Sequence, residues 1–155
     1  MDRGVRLGVD FGSVRIGVAA SDPEGIMAFP VETVVRGEGD VARVATIALE
    51  RGAIAIFVGL PKTLKGESGT SAAMAEQFAR GLAELTTADV RLIDERFSTT
   101  TASRALTGVG KSAKKQRQVI DQAAAVVILE SALDVDRQGN LGIVTRRIPH
   151  EGNDD

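Results

Sequence analysis

Apolar residues alternate with small or polar ones from the start of the chain. In VRLGVDF, Val5, Leu7, Val9 and Phe11 fall on one side of an extended segment, and Gly8 and Asp10 on the other, the two-residue period of a strand. Gly12 and Ser13 mark a turn, RIGVAAS reads as a strand returning beside the first, DPEG turns again, and IMAFPVETVV supplies a third strand. Pro30 within it points to a sheet edge, because proline donates no hydrogen bond to a ladder. The period then lengthens. Asp40 is a candidate N-cap, Val41, Val44, Ala45 and Ala48 follow helical spacing, and Gly52 closes the helix. AIAIFVGL is a continuous apolar run, as expected of a strand buried on both faces. The polar PKTLKGESGT leads into a helix with Ala75, Phe78, Ala79, Leu82 and Leu85 on one stripe. VRLID is the next strand, ERFSTTTASRAL a loop and short helix, LTGVGKSAKKQRQ a Gly- and Lys-rich segment, and QVIDQAAAVVILESAL the last long helix. From Asp134 onward periodicity is lost and the chain reads as a polar tail.

The order β-β-β-α-β-α-β-(short α)-α defines an α/β fold. Three antiparallel N-terminal strands and two further parallel strands form a mixed five-stranded sheet flanked by helices. Residues 1–135 make one domain, and 136–155 are expected as a flexible polar C-terminal tail. The 155 residues contain no cysteine and a single histidine, His150. Thiolate metal sites, cysteine nucleophiles and histidine-rich centres are thereby excluded. No apolar run approaches the roughly 18 residues of a membrane helix, and the N-terminus lacks a signal-like apolar region. A cytoplasmic protein without membrane association is expected. A formal charge of −2 argues against a generic polyanion binder, so hydrolytic chemistry would have to run on carboxylates.

Carboxylates stand where such chemistry needs them. Asp10 ends the first strand, and Asp94 and Glu95 end the last; in an open α/β sheet the carboxyl ends of parallel strands border the ligand crevice. In the final helix Ile120, Ala123, Ala124, Val127 and Ile128 define the apolar face, with Asp121 at its edge. A carboxylate there is costly to bury unless paired or metal-bound. Carboxylate oxygens suit Mg²⁺ or Mn²⁺, and two such ions can clamp the oxygens of a phosphoryl displacement. The bland readings are a turn-forming Asp10, a helix-capping Asp94–Glu95 pair and an exposed, ion-paired Asp121.

Taken together, VDFGSVRIGVAASD, VGLPKTLKGESG, IDERFSTTTA and KKQRQVIDQAAAVVILESAL resemble the YqgF/RuvX family of pre-16S ribosomal RNA nucleases, also described as Holliday-junction-resolvase-like. The likeness runs from about Leu7 to Leu133 in four ordered blocks. It implies a ribonuclease H-like fold and a hydrolase whose catalytic and metal-holding residues are Asp10, Glu95 and Asp121, favouring Glu95 over Asp94. It also matches Arg15 to the basic residue of the RIG block. Lys111, Lys114, Lys115 and Arg117 precede the Asp121 helix, and Arg15 and Arg96 flank the other acids; these side chains could neutralise phosphates. Their bland reading is a solvated charge run. The expected substrate is structured RNA, precursor ribosomal RNA above all, handled by a monomer or homodimer. Branched DNA and a non-catalytic ribosome-assembly or nucleic-acid-binding module are the alternatives.

Three decoys fall away. ALTGVGKS matches a relaxed Walker A pattern, but the polar STTTASRAL precedes it where a P-loop needs a buried strand. DFGS lacks every companion motif of a kinase, and 155 residues leave no room for the second lobe of an actin-like ATPase. DVDRQG begins like a calcium loop, yet Gln138 and Thr145 stand at its fifth and twelfth positions.

Overall fold

The computed structural model describes the backbone of residues 3–60, 69–94 and 113–150, and the side chains of 3–60, 72–94 and 122–150. Strands β1 (Val5–Phe11), β2 (Arg15–Ser21) and β3 (Ala28–Val35) follow one another as antiparallel neighbours. Helix α1 (Asp40–Arg51) carries the chain back to β4 (Ala53–Leu60), which lies parallel to β1. Helix α2 (Gly69–Leu85) leads to β5 (Asp89–Asp94), parallel to β4. The long helix α3 (Ala113–Arg137), a single turn α4 (Leu141–Val144) and β6 (Thr145–Ile148) complete the order. The sheet runs β3-β2-β1-β4-β5-β6.

Strand alternation divides the core in two. Leu7, Val9, Ile56, Val58, Val90 and Leu92 pack with Val44, Ile47, Phe78 and Leu82 beneath α1 and α2. Ala19, Ala55, Phe57 and Ile93 pack with Ala125, Ile128, Leu129, Ala132 and Leu133 of α3 on the opposite face. β4 is central and its residues 55–59 are all buried, which accounts for its unbroken apolar run.

Four expectations are corrected. The sheet has six strands rather than five, because Thr145–Ile148 of the expected tail pairs antiparallel with β5, Val90 opposite Ile148 and Ile93 opposite Thr145. TRRI is too short for an alternating signal: Thr145 and Ile148 are buried and two exposed arginines stand between them. Asp40 is the first residue of α1, and the cap is Gly39 at φ 88°; the Asp40 carboxylate accepts from the Gly37 and Val41 N–H groups at 3.1 and 2.7 Å. Leu85, the last residue of α2, is exposed while Ala75, Phe78, Ala79 and Leu82 are buried. The buried stripe of α3 is Ala125, Ile128, Leu129, Ala132 and Leu133, turned about one residue from the expected one; Ala123, Ala124 and Val127 are half-buried.

β3 is an edge strand, as Pro30 suggests, and its register against β2 shifts between Val18 and Ala19. Gly52 ends α1 with φ 63°, its N–H reaching the Ala48 and Leu49 carbonyls, the left-handed closure for which glycine is suited.

Candidate metal and nucleic-acid site

The register of the sheet fixes where the acids stand. Asp10 pairs with Gly17 of β2 on one side and Gly59 of β4 on the other. Gly17 continues to Thr33 of β3, and Gly59 to Ile93 of β5. Thr33, Gly17, Asp10, Gly59 and Ile93 thus form one transverse row, and Ile93 belongs to the α3 side. Asp10 is half-buried in the middle of this row. Neither of its cross-strand neighbours carries a side chain, at a strand spacing of about 4.8 Å.

Helix α3 crosses this face antiparallel to β1. At the start of β1 the buried Arg6 guanidinium lies 3.5 Å from the Asp136 carboxylate near the end of the helix. One pleat on, Gly8 faces Ala125 and Leu129; a Cβ on Gly8 would stand 2.6 Å from the Ala125 carbonyl oxygen. Near the end of the crossing, Gln122 Nε2 donates to Thr33 Oγ1 at 2.8 Å, and Thr33 is in the Asp10 row. The backbone of position 121, one residue before Gln122 and one turn before Ala125, is therefore carried to the same end of the sheet as Asp10.

Asp94 is placed differently. Leu60 pairs with Asp94 one step beyond the Asp10 row, so pleating assigns Asp94 to the side of Leu92, under α1 and α2. Glu95, Arg96 and Lys111 lie outside the described residues, as do the side chains of Lys114, Lys115, Arg117 and Asp121; the backbone of the last four belongs to α3. Among the described residues no three acidic or histidine side chains gather as a metal-binding group.

Arg15 opens β2 opposite Val35 and is half-buried. Its carbonyl accepts the Gly12 N–H at 3.0 Å and closes the β1–β2 turn. A Cβ on Gly12 would meet that same carbonyl oxygen at 2.6 Å, so glycine is required there. The turn is gripped by Arg36, which the sequence reading passed over. Arg36 Nη1 donates to the Gly12 and Ser13 carbonyls at 3.3 and 3.1 Å, and its backbone N–H to the Val14 carbonyl at 3.0 Å. The guanidinium carbon lies 4.4 Å from the centre of the Phe11 ring, itself 4.9 Å from the Phe78 ring of α2. No local pattern marks Arg36, 24 residues from Gly12 in sequence.

A cleft of about 580 Å³ opens near the opposite end of the sheet, lined by Ile54, Asp89, Arg91, Asp136, Gly139, Leu141 and Gly142. Its acids are already committed: Asp89 accepts from Arg91 Nε at 2.8 Å and Asp136 pairs with Arg6. Among the described residues no helix is long and apolar enough to cross a membrane.

Comparison with known proteins agrees with this architecture. The family described as "RuvX: Holliday junction resolvase" matches residues 4–135. A Nocardia farcinica protein named "Putative pre-16S rRNA nuclease" is 53% identical over 141 residues, covering 85% of this chain and 78% of the relative. A Thermobifida fusca protein of the same name is 48% identical over 149 residues, covering 91% and 94%. Among solved structures, T. thermophilus RuvC in complex with a Holliday junction substrate superposes with a TM-score of 0.57 at 15% identity, over 94% of this chain and 99% of that one. The fold is thus shared with RuvC, and the sequence match carries the closer kinship: the chain belongs to the RuvX family.

Proposed function

We propose that this protein is a divalent-metal-dependent nuclease that hydrolyses phosphodiester bonds in structured RNA, its task being 5′-end processing of pre-16S ribosomal RNA. One observation supports this most: α3 crosses the sheet so that the backbone of position 121 reaches the same end as Asp10, whose cross-strand neighbours are both glycine. The family motif favours Glu95 over Asp94, and pleating puts Asp94 on the α1 and α2 side of the sheet. Asp10, Glu95 and Asp121 would hold Mg²⁺ or Mn²⁺. Oxygen donors are the set these hard ions prefer, and both positions paired with Asp10 are glycine. The bound ion would activate water and stabilise charge on the phosphate. Arg15, Arg96 and the segment carrying Lys111, Lys114, Lys115 and Arg117 would hold the backbone of the strand, without reading its bases. The names carried by the Nocardia and Thermobifida relatives favour ribosomal RNA.

A second reading keeps the same acids and takes branched DNA, favoured by the family description and the RuvC-like fold. One experiment addresses both. Purified protein and its Asp121→Asn variant are assayed with Mn²⁺ on precursor ribosomal RNA and on four-way DNA junctions, with circular dichroism as the check of folding. The wild type is expected to cleave RNA, and the folded variant to have lost cleavage. Unchanged turnover in Asp121→Asn overturns the mechanism, preferential cleavage of junctions selects the second reading, and metal-independent RNA binding without cleavage leaves a non-catalytic module.

A further inference from the structure

The turn between β1 and β2 follows Phe11, the residue after Asp10, and stands directly before Arg15, so whatever fixes the turn fixes the approach of both residues to a bound phosphate. Across the turn the Gly12 N–H donates to the Arg15 carbonyl. Arg36 adds further restraints: two carbonyls bound by Nη1, a third by its backbone N–H, and a guanidinium carbon 4.4 Å over the Phe11 ring. Phe11 is the residue next to Asp10 and is backed by Phe78 of α2. The C-terminal end of β1, the N-terminal end of β2 and the C-terminal end of β3 are thereby tied at one point. A planar guanidinium suits this place because it donates in its plane while stacking through its face, which an ammonium cannot do.

We infer that Arg36 is a positioning residue for the metal-holding end of β1: it keeps Asp10 and Arg15 in the geometry that grips the ion and the phosphate, while touching neither itself. The inference rests on the nuclease reading of the Asp10 site. Groups that orient metal ligands from behind typically set metal affinity or activity by about ten- to a hundredfold, and a loss in that range is expected here.

The test compares wild type, Arg36→Met, Arg36→Lys, Phe11→Leu and Arg43→Met. Arg43 pairs with Glu32 and serves as a control for the loss of a surface arginine. Mn²⁺ affinity is read by electron paramagnetic resonance of the free ion, turnover on precursor RNA at saturating Mn²⁺, and folding by thermal melts. Arg36→Met is expected to bind Mn²⁺ about ten- to a hundredfold more weakly and to turn over more slowly. Arg36→Lys should fail to restore either property, and Arg43→Met should match wild type in both. If Arg36→Met does not fold, Phe11→Leu carries the test: it keeps the donors, removes the stacking surface and should weaken Mn²⁺ binding in the same direction by a smaller factor. Folded Arg36→Met, or failing that Phe11→Leu, with wild-type Mn²⁺ affinity and turnover overturns the inference. So does full recovery with lysine, which would leave charge alone as the requirement. A wild type that neither takes up Mn²⁺ nor cleaves overturns instead the reading of the site, and this inference with it.

Discussion

At Gly8 a hydrogen in place of a methyl group sets how closely α3 lies on β1. A Cβ there would be 2.6 Å from the Ala125 carbonyl oxygen and 2.7 Å from the Leu129 Cβ, and neither is the free end of a flexible side chain. Gly8→Ala should therefore destabilise the protein by overpacking, by about 1–3 kcal/mol, read as a lower urea midpoint at unchanged slope. Because the displaced helix also carries position 121, Mn²⁺ affinity should fall in the same variant. The two residues differ in how visible they are in the sequence. Gly8 and Asp10 stand out as small and acidic intruders in an apolar alternation. Arg36 does not, because its partners are backbone carbonyls, which leave no trace in side-chain pattern.

Among the elements, the strong periods were legible and the weak ones were not. β1, β2 and β4 each carry five or more residues of apolar alternation or continuous burial, β5 a shorter run with Val90, Leu92 and Ile93 buried, and α1 carries its stripe. β6 was missed because its four residues cannot show a period, and because what holds it is tertiary. Ile148 is buried, Arg146 Nη2 lies 2.8 Å from Glu76 Oε1 of α2, and His150 Nδ1 meets the Ala83 carbonyl at 2.8 Å. The face of α3 was misplaced by a residue because its alanines fit either side of the helix, and only the sheet decides between them. Glu76 also accepts from Arg80 at 2.8 Å, and the hydrogen bonds from Arg80 and then Arg146 hold its carboxyl below the usual glutamate value. A lowered folded value means that Glu76 stabilises fully above the ordinary carboxylate range. That contribution is lost as pH falls through the lowered value. The melting temperature of Glu76→Gln should accordingly lie below that of wild type at neutral pH, and the gap should close as the solution is acidified below pH of about 4. A gap that persists unchanged in acid would show that the ion pairs contribute nothing there.

For the whole molecule, one helix does two things. α3 covers the sheet from Arg6 and Asp136 at one end to Gln122 and Thr33 at the other, so forming the core beneath it also delivers the backbone of position 121 to the Asp10 end. Under the proposed metal site, assembly and folding are coupled, and an ion that binds only the folded chain must stabilise it. At a hundred times its dissociation constant the gain is about 2.7 kcal/mol. Mn²⁺ should raise the melting temperature of wild type by several degrees, on the order expected for that gain in a domain of this size, and should leave Asp10→Asn unmoved. Equal shifts in both proteins would place the ion elsewhere. The shared sheet end of Asp10 and the backbone of position 121 is not visible in side-chain pattern, since the two are related only through register and crossing angle.

The outer rim of β3 has its own consequence. A strand with one unpartnered side is an invitation to other strands, and here it is withdrawn by Pro30 and by the slipped register opposite Val18 and Ala19. Growth of a continuous sheet from copy to copy through this rim is therefore disfavoured.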